Sequence, residues 1–295
     1  MQLTINNLTL KYSTEIHALT EVNLSIGKGL YGLLGQNGAG KSSLMRILAT
    51  LQEPTSGTVI FNDFNIHKDP IRFRQTLGYL PQEFGVYPTA TAHQLLAQIA
   101  DLKGIKDRSE RMDLVDNMLQ RVNLWDVRQR SMGSFSGGMR QRFGIAQALI
   151  AQPQVVIVDE PTAGLDPAER NRLYDLLAET GEKAIVILST HLVEDVSTLC
   201  KHLTILGKGQ ILATGSPRQL KDSYRNRIWE KTILRSELDR YQQELPIISH
   251  QYVSGQLQIT LLGEGPFPSS RVKDPTLEDV YFATLTNQRA FLANA

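Results

Sequence analysis

Gly35-Gln36-Asn37-Gly38-Ala39-Gly40-Lys41-Ser42-Ser43 fits the pattern G-x-x-x-x-G-K-S/T, and each residue type in it answers a need of phosphate chemistry. Glycines let the backbone curl until successive N–H groups face one anion. A loop that ends on a helix start adds the positive end of the helix dipole. Lys41 is long enough to reach the β- and γ-phosphates of a nucleotide, and the Ser42 hydroxyl is placed to hold Mg2+. The setting this loop requires is also written in the chain. Gly29 to Leu34 is a short apolar run before it, and Leu44, Met45, Leu48 and Leu51 share one helical face after it.

Val155-Val156-Ile157-Val158 is followed by Asp159-Glu160-Pro161. In open α/β sheets, ligands gather beyond the carboxyl ends of the strands. Two acids at the end of a buried strand are costly unless they are solvated, paired or near a metal. Asp159 is therefore expected to hold the metal together with Ser42, and Glu160 to orient and polarise an attacking water. A second apolar run, Ala184 to Leu188, ends in Ser189-Thr190-His191 at the same expected rim. An imidazole there can donate to a γ-phosphate, although position alone leaves His191 readable as a surface residue at a helix start.

These residues need a sheet to carry them. Residues 1–27 alternate as edge strands do, with Leu3, Ile5 and Leu8, then Val22, Leu24 and Ile26. Gly57 to Phe61 and Leu77 to Leu80 add further strands. Val155 to Val158 and Ala184 to Leu188 are apolar throughout, the pattern of parallel strands covered on both faces. The helix between them, about Ala168 to Thr180, completes a β-α-β crossover. From about 84 to 152 the periodicity is helical. Leu95, Leu96, Ile99 and Leu102 form one stripe, Met112, Val115, Leu119 and Val122 a second, and Phe143, Ala146, Leu149 and Ile150 a third. Leu203 to Leu206 and Gln210 to Ala213 flank Gly207-Lys208-Gly209 as a hairpin. Beyond Lys221 the pattern predicts a small α+β appendage. It comprises a strand at Ile228 to Leu234, a helix capped by Ser236 and ended by Pro246, a hairpin turning at Ser254-Gly255, and a last helix opened by Asp274-Pro275. The expected domains are 1–221, with a helical subdomain at about 84–152, and 222–295.

The 295-residue chain carries a net charge of +1 and one cysteine, Cys200. That balance supplies no field favouring nucleic acid or an anionic membrane surface. A lone cysteine excludes an internal disulfide and suits a reducing cytoplasm. The first residues lack the basic and apolar regions of a signal peptide. No window reaches the roughly 18 apolar residues of a spanning helix, so work at a membrane would need another chain to do the spanning.

Several segments together resemble the ATP-binding cassette family, over roughly residues 1–220. Phe135-Ser136-Gly137-Gly138-Met139-Arg140-Gln141-Arg142 is similar to its signature motif, usually Leu-Ser-Gly-Gly-Gln. Pro153 to Asp166 matches its Walker B and D-loop stretch. Gly78-Tyr79-Leu80-Pro81-Gln82 resembles the Q-loop entrance and Ser189-Thr190-His191 the H-loop. The resemblance implies an α/β P-loop NTPase cassette with a mixed sheet core, an antiparallel β edge and a helical subdomain, the α+β appendage being added to it. It implies a homodimer, or a heterodimer with another cassette, in which Ser136, Gly137 and Gly138 of one copy complete the P-loop site of the other. Asp166 would act across that interface, Tyr12 would stack on adenine, and Gln82 would join Ser42 and Asp159 at the metal and Glu160 and His191 at the reacting phosphate. ATP and Mg2+ are the implied ligands and ATP hydrolysis the implied reaction. The implied partner is an integral membrane permease on a separate chain, which places the protein at the cytoplasmic face of the cell membrane, with no role for nucleic acid. Phe135 and Met139 depart from the commoner signature, and Gln36 stands where proline is common; none of these removes a phosphate donor or a metal ligand.

Asp274-Pro275-Thr276-Leu277-Glu278-Asp279-Val280-Tyr281 is similar to a P-S/T-L-E-D-V-F/Y element of ABC-2-type export ATPases. An exporter subunit is therefore expected, with an importer ATPase or a soluble, non-transport cassette ATPase as the alternatives. Cassette ATPases of DNA repair and chromosome organisation carry a long coiled coil between P-loop and signature, whereas 94 residues separate Lys41 from Ser136 here.

Overall fold

The unbroken apolar runs lie where two cores meet. In the computed structural model, which describes residues 1–13 and 15–293, Val155–Asp159 and Ile185–Thr190 run side by side and parallel within a six-stranded sheet. Val155, Ile157, Ile185 and Ile187 face one core, while Val156, Val158, Val186 and Leu188 face the other. A strand covered on both faces has no polar side to show.

From one edge, the sheet order is Gln210–Gly215, His202–Gly207, Gly29–Leu34, Ile185–Thr190, Val155–Asp159 and Leu77–Leu80. Neighbours are parallel except the first pair, which is the hairpin expected around Lys208. A second sheet, His17–Gly27, Gln2–Lys11, Ser56–Phe61 and Phe64–Asn65, is antiparallel throughout. The helix Lys41–Leu48 shares one core with both sheets, burying Leu44, Met45, Ile47 and Leu48. The other core gathers the helices Gly137–Leu149, Pro167–Gly181 and Val193–Leu199, with Ala92–Leu102 and Arg108–Arg121 of the helical subdomain.

Four local expectations are corrected. Leu51 does not join the buried face of the P-loop helix but is 63% exposed. The helix ends at Leu48, Thr50 takes a left-handed conformation at φ 59°, and the Leu51 N–H turns back to the Arg46 carbonyl at 2.9 Å. Leu102 is also exposed; the buried stripe of its helix is Ala92, Leu95, Leu96 and Ala100, and Leu102 lies about 200° around the helix from Ala100. Ser236 caps nothing. It sits inside the short turn Arg235–Glu237, where Glu237 Oε2 instead accepts the Leu234 N–H at 2.8 Å. The last helix, Leu277–Ala293, opens from Thr276 rather than from Asp274-Pro275. Thr276 Oγ1 accepts the Asp279 N–H at 3.1 Å, and Asp279 Oδ2 accepts the Thr276 N–H at 2.9 Å. This reciprocal pair satisfies two orphan donors at once, which a single Asp cap cannot do.

The chain beyond 221 divides by its packing. Ile247–Val253, Gln256–Leu262, Ile228–Ile233 and Arg271–Val272 form a separate antiparallel sheet with a small core of Ile233, Leu238, Leu257, Ile259 and Leu261. The last helix sends its stripe elsewhere: Leu277, Val280, Tyr281 and Leu285 join Val196, Leu203, Ile205 and Leu220 in the large core. Val280 is fully buried. Val280→Ala should therefore destabilise the part of the molecule built on the large core by about 2 kcal/mol, read as a lower denaturation midpoint. Among the described residues, no helix is long and apolar enough to cross a membrane.

Candidate active site

The sheet brings the sequence-predicted loops to one rim. Leu34 pairs with Thr190, and Asp159 pairs with Ser189. The glycine-rich loop, His191 and the acidic pair thus leave three adjacent strands at their carboxyl ends, where α/β sheets place ligands.

The loop's shape is set by contacts a side chain would obstruct. At Gly40, φ is 102°, and a Cβ would come within 2.5 Å of the Ala18 carbonyl. At Gly35 a Cβ would come within 2.6 Å of the Leu206 carbonyl. Ala39 is buried, and its carbonyl accepts the Gly209 N–H at 2.9 Å. The loop is held from behind while its other side lines an open cleft of about 440 Å³. Tyr12, Asn37, Gly38, Gly40, Lys41, Ser42, Ser43, Gln82 and Glu160 all face this cleft. The Tyr12 hydroxyl lies 3.1 Å from Ser43 Oγ and donates to Gln52 Oε1 at 3.3 Å, so the ring is tied at its tip and half-exposed along its face.

Lys41 is 6% exposed. Its ammonium donates to the Gly35 carbonyl at 2.8 Å and the Gln36 carbonyl at 3.3 Å, and lies 3.7 Å from Glu160 Oε1. Burial pulls its pKa below the usual lysine range, and the charges of Glu160 and Asp159 oppose that pull. Glu160 is buried and takes a left-handed backbone at φ 53°, held by its N–H to the Ser189 carbonyl at 2.9 Å. A β-carbon residue in that region stores strain, a feature that collects at working sites. Its Oε2 is 2.6 Å from His191 Nδ1.

Asp159 Oδ1 is buried with no hydrogen-bond partner among the described residues. An ionised oxygen left so is expensive, and it is the kind of hard donor Mg2+ takes. That ion commonly uses one or two carboxylates with substrate phosphates rather than a full protein cage. The Ser42 hydroxyl lines the cleft next to Glu160, the residue after Asp159, and supplies a second hard donor. The residues present therefore fit the ion.

Ser136, Gly137, Gly138 and Asp166 do not line this cleft. Ser136 caps the helix Gly137–Leu149, accepting the Met139 N–H at 3.2 Å, and both Ser136 and Gly137 are exposed. Nothing lies within 4 Å of a Cβ at Gly137, so its backbone is open to an approaching group. Asp166 caps Pro167–Gly181, accepting the Glu169 N–H at 2.9 Å. Two helix starts suited to anions thus stand in one chain but not in one cleft.

Sequence reasoning missed the links between these parts. Gln141 Nε2 donates to the Pro161 carbonyl at 2.9 Å, tying the signature helix to the residue after Glu160. Arg142 donates to the Asn123 carbonyl at 2.6 Å and to Glu169 Oε1 at 3.3 Å. Polar residues on a helix read as surface, and no local pattern marks these as bridges.

A family profile described as "ABC transporter" matches residues 19–163. The ABC transporter ATP-binding protein NatA of Bacillus subtilis is 34% identical over 214 residues, covering 72% of this chain and 87% of NatA. ABC transporter A family member 8 of Dictyostelium discoideum is 36% identical over 219 residues, covering 74% of this chain but only 26% of that protein. The chain spans 31% of a second such relative, A family member 10 of Arabidopsis thaliana. Among solved structures, the dimeric structure of MJ0796, described as a bacterial ABC transporter cassette, aligns with a TM-score of 0.68 at 26% identity, covering 72% of this chain and 98% of the other. The same cassette in a post-hydrolysis dimer bound to ADP and Pi aligns with a TM-score of 0.65.

Proposed function

Because this chain belongs to the ATP-binding proteins of ABC transporters, we propose that it is the ATPase subunit of an ABC-2-type exporter, working as a homodimer beneath a membrane permease carried on another chain. The observation that carries the dimeric reading is the separation of the two anion-binding helix starts. Each chain offers a cradle around Lys41 and an exposed Ser136-Gly137-Gly138 start that does not face it. Two copies placed head to tail pair each cradle with a signature, so two nucleotides are sandwiched. The dimeric structure of MJ0796, similar to this chain at 26% identity, supports a dimer. The Asp274 to Tyr281 element supports the exporter assignment through its similarity to export ATPases.

Each residue has a task in this reading. Tyr12 offers its ring to the base. Backbone N–H groups of Gly38, Ala39 and Gly40, with Ser43, receive the phosphates. Lys41 leaves the Gly35 and Gln36 carbonyls for the β- and γ-phosphates, which also withdraws its charge from Glu160. Ser42, Asp159 and Gln82 would hold Mg2+, which would supply positive charge against the phosphates. Glu160 then orients and polarises the attacking water, and His191 steadies Glu160 through the Nδ1 contact. Loss of the γ-phosphate removes the bridge between Lys41 and the other copy's signature, and the dimer reopens. Nucleotide thus shifts the population toward the closed state, and hydrolysis returns it. That motion passes to the permease through the Gln82 segment.

The dimer is tested by mass in solution. With turnover blocked by Glu160→Gln, Mg-ATP should convert the monomer to twice its mass on size exclusion with light scattering. Adding Ser136→Arg should keep it monomeric, because the side chain would fill the anion site. A monomer at saturating Mg-ATP in the blocked variant would remove the dimeric reading. Detergent co-purification with a membrane-spanning chain tests the transport reading.

A further inference from the structure

Asp195 is fully buried in the first turn of the helix Val193–Leu199, four residues after His191. Its carboxylate receives donors from three segments. Oδ2 accepts the hydroxyl of Thr162 at 2.8 Å and that of Thr190 at 3.1 Å. Oδ1 accepts the hydroxyl of Tyr174 and lies 3.3 Å from the Arg170 guanidinium. Thr162 follows Glu160 by two residues, and Thr190 immediately precedes His191. Arg170 and Tyr174 stand on the helix that Asp166 caps. One carboxylate therefore touches the three stretches that carry Glu160, His191 and Asp166, and it touches none of those side chains itself.

Stability alone does not account for this choice. A buried ion pair is often no more stabilising than well-packed apolar groups of the same volume. What it adds is geometry, since four donors from separate segments are satisfied only when the segments stand in one arrangement. The Glu160–His191 contact at 2.6 Å spans two loops, and behind it the Glu160 N–H donates to the Ser189 carbonyl at 2.9 Å. The bracket Thr162–Asp195–Thr190 is a second tie, two residues beyond Glu160 on one side and one before His191 on the other.

We propose that Asp195 is a positioning residue for ATP hydrolysis: it fixes the spacing of the Glu160 and His191 loops and ties both to the helix behind Asp166. The proposal rests on the roles given above to Glu160 and His191. Positional errors near 1 Å cost about 100-fold in some enzymes, so a loosened bracket should act on turnover rather than on ATP affinity.

The test compares Asp195→Asn, Thr162→Val and Thr162→Ser in the full chain, measuring phosphate release, ATP affinity and melting temperature. Asp195→Asn and Thr162→Val should lower kcat about 10-fold with ATP affinity within about twofold of the parent, while Thr162→Ser, which keeps the hydroxyl, stays near it. Combined with His191→Ala, Asp195→Asn should add less than about a twofold further loss, because both act on one contact. Should Asp195→Asn not fold, the Thr162 pair carries the comparison alone. Parent-like turnover in Asp195→Asn and Thr162→Val overturns the proposal, as do losses that multiply fully with His191→Ala. Normal hydrolysis by Glu160→Gln and His191→Ala would overturn the underlying assignment instead, and the proposal with it; an inert Asp195 beside an essential Glu160 separates the two failures.

Discussion

Glu160→Gln is expected to lower the turnover of ATP about 100- to 1,000-fold, with ATP affinity within about threefold of the parent. Glutamine keeps the length and shape of the side chain, so the cleft and the left-handed backbone at φ 53° are retained. It lacks the charge that polarises water and that faces Lys41 across 3.7 Å. The loss should therefore fall on kcat and leave the nucleotide bound. Phosphate release under saturating ATP, paired with a fluorescent-nucleotide titration, reads both quantities. A variant that hydrolyses at the parent rate would show that water is activated by another group, and His191, 2.6 Å away, would be examined first.

The second large effect is expected at Lys41. Lys41→Ala should weaken ATP binding about 10- to 100-fold, since hydrogen bonds to charged groups contribute about 1.5–3 kcal/mol. Without ATP the ammonium is no spectator. It bonds two loop carbonyls and stands beside two buried carboxylates. Removing it leaves Glu160 and Asp159, 7% and 2% exposed, without that cation, and a buried charge stripped of its partner is strongly destabilising. The nucleotide-free variant should thus melt below the parent, and Mg-ATP should raise its melting temperature far less. An undiminished ATP-induced rise would mean that the phosphates are held without the lysine.

The residues nearest the phosphate chemistry were the most legible. The glycines at 35 and 40 sit where a Cβ would strike a carbonyl, so the local backbone dictates the residue type and the type can be read back. The strands were legible for a different reason. Alternate residues of Val155 to Val158 enter different cores, so the absence of alternation was itself the signal. Legibility failed where tertiary partners decide. Leu51 continues the apolar period of its helix and yet points outward, because Thr50 turns left-handed, with its hydroxyl and carbonyl both taken by Arg74. Asp274-Pro275 read as the start of the last helix on local preference, but Thr276 and Asp279 exchange bonds and settle the cap two residues later. Asp195 reads as one more acid on a short helix. Its four donors come from residues 5 to 33 positions away, and no window of sequence holds them together. The stripe Leu277, Val280, Tyr281 and Leu285 announced that the last helix packs, but not against what.

That last destination bears on how the molecule is made. The ribosome delivers the glycine-rich cradle early and the segment around Val280 late, yet both Leu34 and Leu285 belong to one core. Until residues 277–285 emerge, the side of Val196, Leu203 and Ile205 that they cover is left open, an apolar seam on the nascent chain. Such a chain cannot complete its nucleotide-binding half domain by domain as it emerges. It should lean on a holding chaperone until the final helix arrives, and its folding should then finish as a late closing step rather than a progressive one.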